Sequence, residues 1–214
     1  MLHKVTTKLF RGKYQHKIVL VCAGASMFRT SDMDVVVSKL DKVNLAANTV
    51  VDRFRTTKIR TPDDLAYAFK LAATLKPISD AVEIRVESPW ISIYTNDQHI
   101  VDTLAKLDDS KVKYISSPSA GTVLEHGTIV MTKCDYDYRI TLGRTHQNHE
   151  TFVDWAAANS GKLKLTKSCE KDLLKDRSWG GTYFYITGDN MILMAKMHLG
   201  GAIAKIERIT KKIG

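Results

Sequence analysis

Residues 82–87, "VEIRVE", alternate apolar and charged positions with a period of two. This places Val82, Ile84 and Val86 on the inner face of a predicted strand and Glu83, Arg85 and Glu87 on its outer face. Upstream the period lengthens to that of a helix. Thr61-Pro62-Asp63-Asp64 supplies an N-cap, a proline at the first helical position and acids in the first turn. Leu65, Ala68, Phe69, Ala72 and Leu75 then form a buried stripe, and Pro77 ends the element. Ser31 or Asp32 is placed to cap a short helix through Leu40. "KVTTKLF" and "HKIVLVCAG" flank the Gly-containing "RGKYQ" and predict a β-hairpin near residues 4–23, while "TVVDRFRTT" predicts a further strand.

Residues 90–107, "WISIYTNDQHIVDTLAKL", and 182–199, "TYFYITGDNMILMAKMHL", are each an aromatic-apolar run, a polar break with an Asp, Asp97 or Asp189, placed to cap a helix, and an amphipathic helix pattern. Thr95, Asp97, Ile100 and Leu107 recur as Thr187, Asp189, Ile192 and Leu199 at a constant offset of 92. The element order strand, helix, strand, strand, helix, strand is predicted twice. From residue 121, "TVLEHGTIVMT" and "DYDYRITLG" predict strands. Asn148 is placed to cap a helix that Gly161 stops, and "KLKLT" and "AIAKIERI" predict further strands. The fold class expected is α+β: two tandem ferredoxin-like, split βαβ modules with antiparallel sheets, preceded by an N-terminal β-hairpin and short helix. The expected division is residues 1–44 as that extension, 45–118 as the first module and 119–214 as the second.

Composition narrows the function classes. The chain has 214 residues, 44% of them hydrophobic, with no apolar run long enough for a membrane span. Its basic start lacks the apolar stretch of a secretory signal, and Cys22, Cys134 and Cys169 have neither disulfide-framework nor zinc-ribbon spacing. A cytoplasmic protein without a membrane partner is expected. The net charge of +9 divides as +8 over residues 1–60, −3 over 61–120 and +4 over 121–214, so the basic character lies at the two ends. Such a surplus is a footprint of proteins that meet polyanions; the alternative is that excess lysine serves solubility.

Two basic and aromatic constellations follow. Lys8, Phe10, Arg11, Lys13, Tyr14 and Lys17 crowd the predicted hairpin, and Arg53 and Arg55 share a strand face with Lys58 and Arg60 after it. Lys162 and Lys164 point outward from the second module beside "TYFYI", where either Tyr183 and Tyr185 or Phe184 and Ile186 share their face. Rings stacking on bases beside cations meeting phosphates is the arrangement that holds single-stranded nucleic acid. The alternative is that these aromatics pack internally. On the first module, if Ile91 and Ile93 face the helices, Trp90, Ser92 and Tyr94 look outward beside Glu83, Arg85 and Glu87, a mixed or acidic surface suited to protein contact.

Catalytic patterns are sparser. His146, His149 and Glu150 would ligate a metal only if Asp135 or Asp137 joined them, and Cys22 has no histidine assignable as its base. No phosphate-loop, nucleophile-elbow or dinucleotide motif is present, and neither cofactor, metal site nor catalytic residue is expected. The reading is a nucleic-acid-binding protein acting without catalysis, with RNA or single-stranded DNA favoured. Protein partners or self-association through the open sheet faces is the competing reading, as a structural or adaptor subunit. A metal-dependent nuclease is third.

Overall fold

A computed structural model of the chain describes residues 2–43, 59 and 61–211. The predicted strand "TVVDRFRTT", the 44/45 boundary, and Arg53, Arg55, Lys58 and Arg60 lie outside the described residues. The rest is α+β: two five-stranded mixed sheets with six α-helices, in two compact units, Met1–Val123 and Leu124–Gly214.

The first unit runs β1 (His3–Val5), β2 (His16–Val21), α1 (Met33–Asp41), α2 (Pro62–Leu75), β3 (Val82–Glu87), β4 (Trp90–Thr95), α3 (Gln98–Ala105) and β5 (Val112–Ser117). Its helices start where the short polar side chains predict. The Asp32 carboxylate accepts the Asp34 and Val35 amides, the Thr61 hydroxyl accepts the Asp64 amide at 3.1 Å, and Asp97 accepts the His99 amide at 2.7 Å. Ala68, Leu71, Ala72 and Leu75 of α2 are wholly buried, joined by Tyr67, while Leu65 and Phe69 pack at the margin. They lie against Ile18 and Leu20 of β2 and Ile91 and Ile93 of β4, and Val82, Ile84 and Val86 complete that face as their alternation requires. Truncating one such side chain, as in Leu71→Ala, removes about 2–5 kcal/mol.

The second unit runs β6 (Thr128–Met131), β7 (Tyr138–Leu142), α4 (Glu150–Ala158), β8 (Leu163–Leu165), α5 (Lys167–Leu173), β9 (Tyr183–Ile186), α6 (Asp189–Leu199) and β10 (Ile203–Lys211). Its core is Ile140, Leu142, Phe152, Leu163, Phe184 and Ile186 with the inner faces of its helices. The two sheets share one strand order, β1-β5-β2-β4-β3 and β6-β10-β7-β9-β8. In each, the first strand lies parallel to the last and every other pairing is antiparallel.

Several expectations are corrected. The sheets are mixed rather than antiparallel, because β1 and β6 each add a parallel edge strand. β1 and β2 form no hairpin: β5 lies between them, and the connection crosses it. Residues 1–44 therefore supply an edge strand and an interior strand of the first sheet. Helix α4 begins at Glu150 with His149 at its cap and no side-chain cap bond, while Asn148 reaches Asp176 instead. Asp189 does not cap α6 as Asp97 caps α3. It is the first helical residue, after Gly188, and its carboxylate accepts the Tyr138 hydroxyl at 2.6 Å.

No described helix is long and apolar enough to cross a membrane. The three cysteines are free. Burial pushes the Cys22 thiol up to about 11 and that of Cys169 up to about 12, so neither is a thiolate nucleophile near neutral pH.

Candidate nucleic-acid interface

In both sheets the helices cover one face, and the residues of opposite parity populate the other. On the first sheet, register brings Lys17 opposite both Tyr94 and Ser116, Val19 opposite Ser92 and Tyr114, and Lys4 opposite Ser116. The register shifts between Val19 and Leu20, leaving Lys113 as the extra residue of a β-bulge. Cations then stand over rings across this face. The Lys4 ammonium is 4.2 Å from the centre of the Tyr114 ring, that of Lys17 is 5.5 Å from both Tyr94 and Tyr114, and that of Lys113 is 3.1 Å from Trp90.

The β1–β2 connection folds back onto the same place. Phe10 and Tyr14 exchange backbone hydrogen bonds at 2.8 and 2.9 Å around Arg11 and Gly12, whose φ values of +54° and +70° follow the pattern of a type I′ turn. The turn lays Phe10 and Tyr14 beside Tyr94, with ring centres 6.0 and 6.2 Å away. The Arg11 guanidinium lies 5.9 Å over Tyr94 and pairs with Glu83 at 2.8 Å. Tyr94 is 5% exposed and Tyr14 is buried with it, so these rings hold the turn in place rather than offering a stacking surface. Lys8, Arg11 and Lys13 remain exposed on it.

This face is not acidic. Glu83 is engaged by Arg11 and Glu87 by Arg85, whereas Lys4, Lys17 and Lys113 form no ion pair among the described residues. The acids visible in the alternation of β3 belong to one edge strand. The lysines arrive from three other strands whose order the sequence does not disclose. Lys4, Lys113 and Tyr114 are the members that sequence reasoning missed. Strict alternation through "KVKYIS" would put Tyr114 on the side of buried Val112; the bulge at Lys113 moves it to the open face, and that bulge has no sequence signature.

On the second sheet the parity resolves in favour of Tyr183 and Tyr185, with Phe184 and Ile186 wholly buried. Register places Tyr185 between Lys164 and Arg139, and Tyr183 opposite Thr141. Tyr136 stacks on Tyr185 at 5.8 Å and 26°, Tyr183 meets Tyr185 edge-on at 5.6 Å, and Arg139 lies 5.3 Å over Tyr183. Burial, and then neighbouring Tyr183, raise the Tyr185 hydroxyl above its ordinary value, so that phenol stays neutral. Lys164 on β8 and Lys162 just before it are exposed, and an open groove of about 480 Å³ lined by Tyr136, Lys164, Val153 and Glu170 follows that edge.

Comparison of the chain with protein-family models, curated proteins and solved structures finds no match.

One further feature of the second face is ionic. Glu207, 1% exposed, accepts Arg139 Nε at 3.0 Å and Lys205 Nζ at 2.7 Å, and contacts the Arg139 Nη2 as well. Burial raises its carboxyl pKa, but the bonds from Lys205 and Arg139 together outweigh that and hold it below the ordinary value. Arg139 is thereby fixed over Tyr183 with its charge balanced. His149 is buried, its Nε2 has no hydrogen-bond partner among the described residues, and desolvation lowers its pKa; His146 is exposed. No group of three or more His, Cys, Asp or Glu side chains suited to a metal occurs among the described residues.

Proposed function

We propose that this chain binds single-stranded nucleic acid, RNA or DNA, without catalysis, through the helix-free faces of its two sheets. The observation that carries the reading is the row of lysines Lys4, Lys17 and Lys113, in no ion pair among the described residues and interleaved with Tyr114 and Trp90 on the first face. The second face supports it with half-exposed Tyr136, Tyr183 and Tyr185 beside Lys162 and Lys164. Rings take bases and ammonium groups take phosphates, a division of labour that is tolerant of sequence. Each unit is basic by itself: eighteen Lys and Arg against thirteen acids in 1–123, and fourteen against ten in 124–214. We also read each unit as a split βαβ, ferredoxin-like module extended by one parallel edge strand. Without β1 and β6, the strand orders β5-β2-β4-β3 and β10-β7-β9-β8 are alike; the first unit joins β3 directly to β4, and the second adds α5 between β8 and β9.

The test is a polarisation titration with labelled single-stranded RNA and DNA at about 50 and 200 mM salt. A strand on the first face meets three lysines, and since each neutralised phosphate contributes about −0.7, the log–log salt slope from that face is about −2. Lys17→Ala with Lys113→Ala reduces the slope by about 1.4. Absence of binding at the lower salt overturns the reading.

A structural or adaptor role has its own observation. Leu193 and Met197 of α6 are 61% and 72% exposed, with Met194 beside them, a surface that protein contact would cover. Discrete oligomers in light scattering without nucleic acid would favour that role.

A further inference from the structure

At one end of the second sheet two loops, 143–149 and 174–182, meet in a rigid ledge. Thr145 and Ser178 exchange backbone hydrogen bonds at 3.1 Å each, the Gly181 amide donates to Leu142 at 2.8 Å, and the Gly143 amide donates to Ala202 at 2.7 Å. Thr145 and Ser178 are buried, and the Ser178 hydroxyl accepts the Gly180 amide at 3.1 Å. Gly180 has φ +75°, and a Cβ there would lie 2.4 Å from the carbonyl of Gly143, so the two strands of the ledge touch backbone to backbone. Between Ser178 and Gly180, each fixed on its own side, stands Trp179.

Its side chain is 76% exposed, the most exposed aromatic ring named in either unit, and the Arg144 guanidinium lies 4.8 Å from its centre. Arg177, two residues before it, is exposed, and neither arginine forms an ion pair among the described residues. The indole is left to water on a backbone that hydrogen bonds hold on both sides, with a guanidinium against it, and buries little of its own surface. It presents a flat apolar ring already ordered for a partner.

We propose that Trp179 is a stacking anchor for one unpaired nucleobase, with Arg144 and Arg177 meeting the flanking phosphates. This rests on the reading of the chain as a single-strand binder and names a contact outside the sheet faces. The choice of a nucleobase over an apolar peptide follows from charge. A hydrophobic partner covering Trp179 would desolvate two uncompensated guanidinium groups, whereas a nucleotide supplies both the ring and the anion. A base inside a duplex cannot reach the indole, so the occupant is single-stranded.

The chain has three tryptophans. In the full-length W90F/W155F variant, Trp179 is the only one left, and its emission reports stacking directly. Titrated with unlabelled oligo(dT) and oligo(U), this variant is expected to lose more than half of its emission in step with the rise in polarisation of a labelled strand. Trp179→Ala is expected to weaken binding about tenfold or more, and Trp179→Phe to recover part of that. Binding by polarisation with unchanged emission and unchanged affinity in Trp179→Ala overturns the anchor but leaves the sheet faces as the site. No binding in the parent chain overturns both. A change in emission that follows protein concentration without nucleic acid overturns the anchor in favour of contact with a second copy. Should W90F, which alters a ring of the first face, weaken binding, or W155F unfold the second unit, 5-fluorotryptophan in the otherwise natural sequence gives the same readout. The resonance absent from Trp179→Phe is then expected to shift on adding oligonucleotide, and its failure to shift while binding proceeds overturns the anchor.

Discussion

Glu207→Gln tests how the second face is held together. The substitution keeps the shape of a side chain that is 1% exposed but replaces one carboxylate oxygen with a donor, facing Arg139 on one side and Lys205 on the other. Arg139 is itself 15% exposed, so its charge is left partly buried with no counter-charge. Removing one partner of a buried pair costs about 3–5 kcal/mol. Lys205, 48% exposed, is screened by water and contributes only about 0–1 kcal/mol of its own. The remaining amide oxygen keeps one hydrogen bond, which points to the lower end, about 3 kcal/mol. The Glu207 carboxyl is held below its ordinary value, so its contribution is fully present above the unfolded pKa of about 4.3 and is lost as pH falls through the folded one. Urea unfolding followed by circular dichroism should therefore show a deficit of about 3 kcal/mol near pH 7 that shrinks below about pH 4. The same variant frees Arg139 and Lys205 on the face, so the single-strand salt slope should steepen by about 0.7–1.4. A deficit under about 1 kcal/mol at neutral pH, or one of equal size in acid, refutes the account of Glu207 as the balancing charge.

Gly180→Ala is expected to destabilise the second unit by more than the roughly 1–2 kcal/mol of a left-handed alanine, because its Cβ also overlaps Gly143; thermal unfolding measures it, and a neutral result refutes the close approach. His149 is buried with an Nε2 unpartnered among the described residues and a pKa below its ordinary 6.5, so its native-state burial penalises protonation and stability declines as pH falls from 6.5 toward the folded value. His149→Asn should flatten the pH dependence of urea unfolding over that window, and an unchanged profile refutes it. Of the three thiols, half-buried Cys134 should react with Ellman's reagent in the native protein while Cys22 and Cys169, raised to about 11 and about 12, do not. Three fast equivalents would contradict the burial.

The repeat shows how far a linear reading reaches. The identities at offset 92 align Ile91 and Ile93, in the first core, with Tyr183 and Tyr185 on the open face of the second sheet. By pairing register the buried residues that correspond in β4 and β9 are Ile93 with Phe184 and Thr95 with Ile186, ninety-one apart. In the helices, buried Ile100 and Leu104 correspond to Met191 and Ala195, ninety-one apart. The order of elements recurs, therefore, while the matching letters do not occupy matching places. A strand tolerates no odd slip, because one residue exchanges its faces.

Local properties were set by the sequence alone: the alternation of 82–87, the caps at Thr61 and Asp97, and the stripe of α2. Each depends on neighbours a few residues away, where propensity, capping and periodicity act. Tertiary structure alone decided that β5 divides β1 from β2, that a bulge turns Lys113 over Trp90, that Glu207 is buried between two cations, and that the chain at Gly143 closes on Gly180 beneath Trp179. These are pairings between segments far apart in the chain. They are chosen by which strand edges and apolar faces can be satisfied together, a condition no single stretch of residues contains.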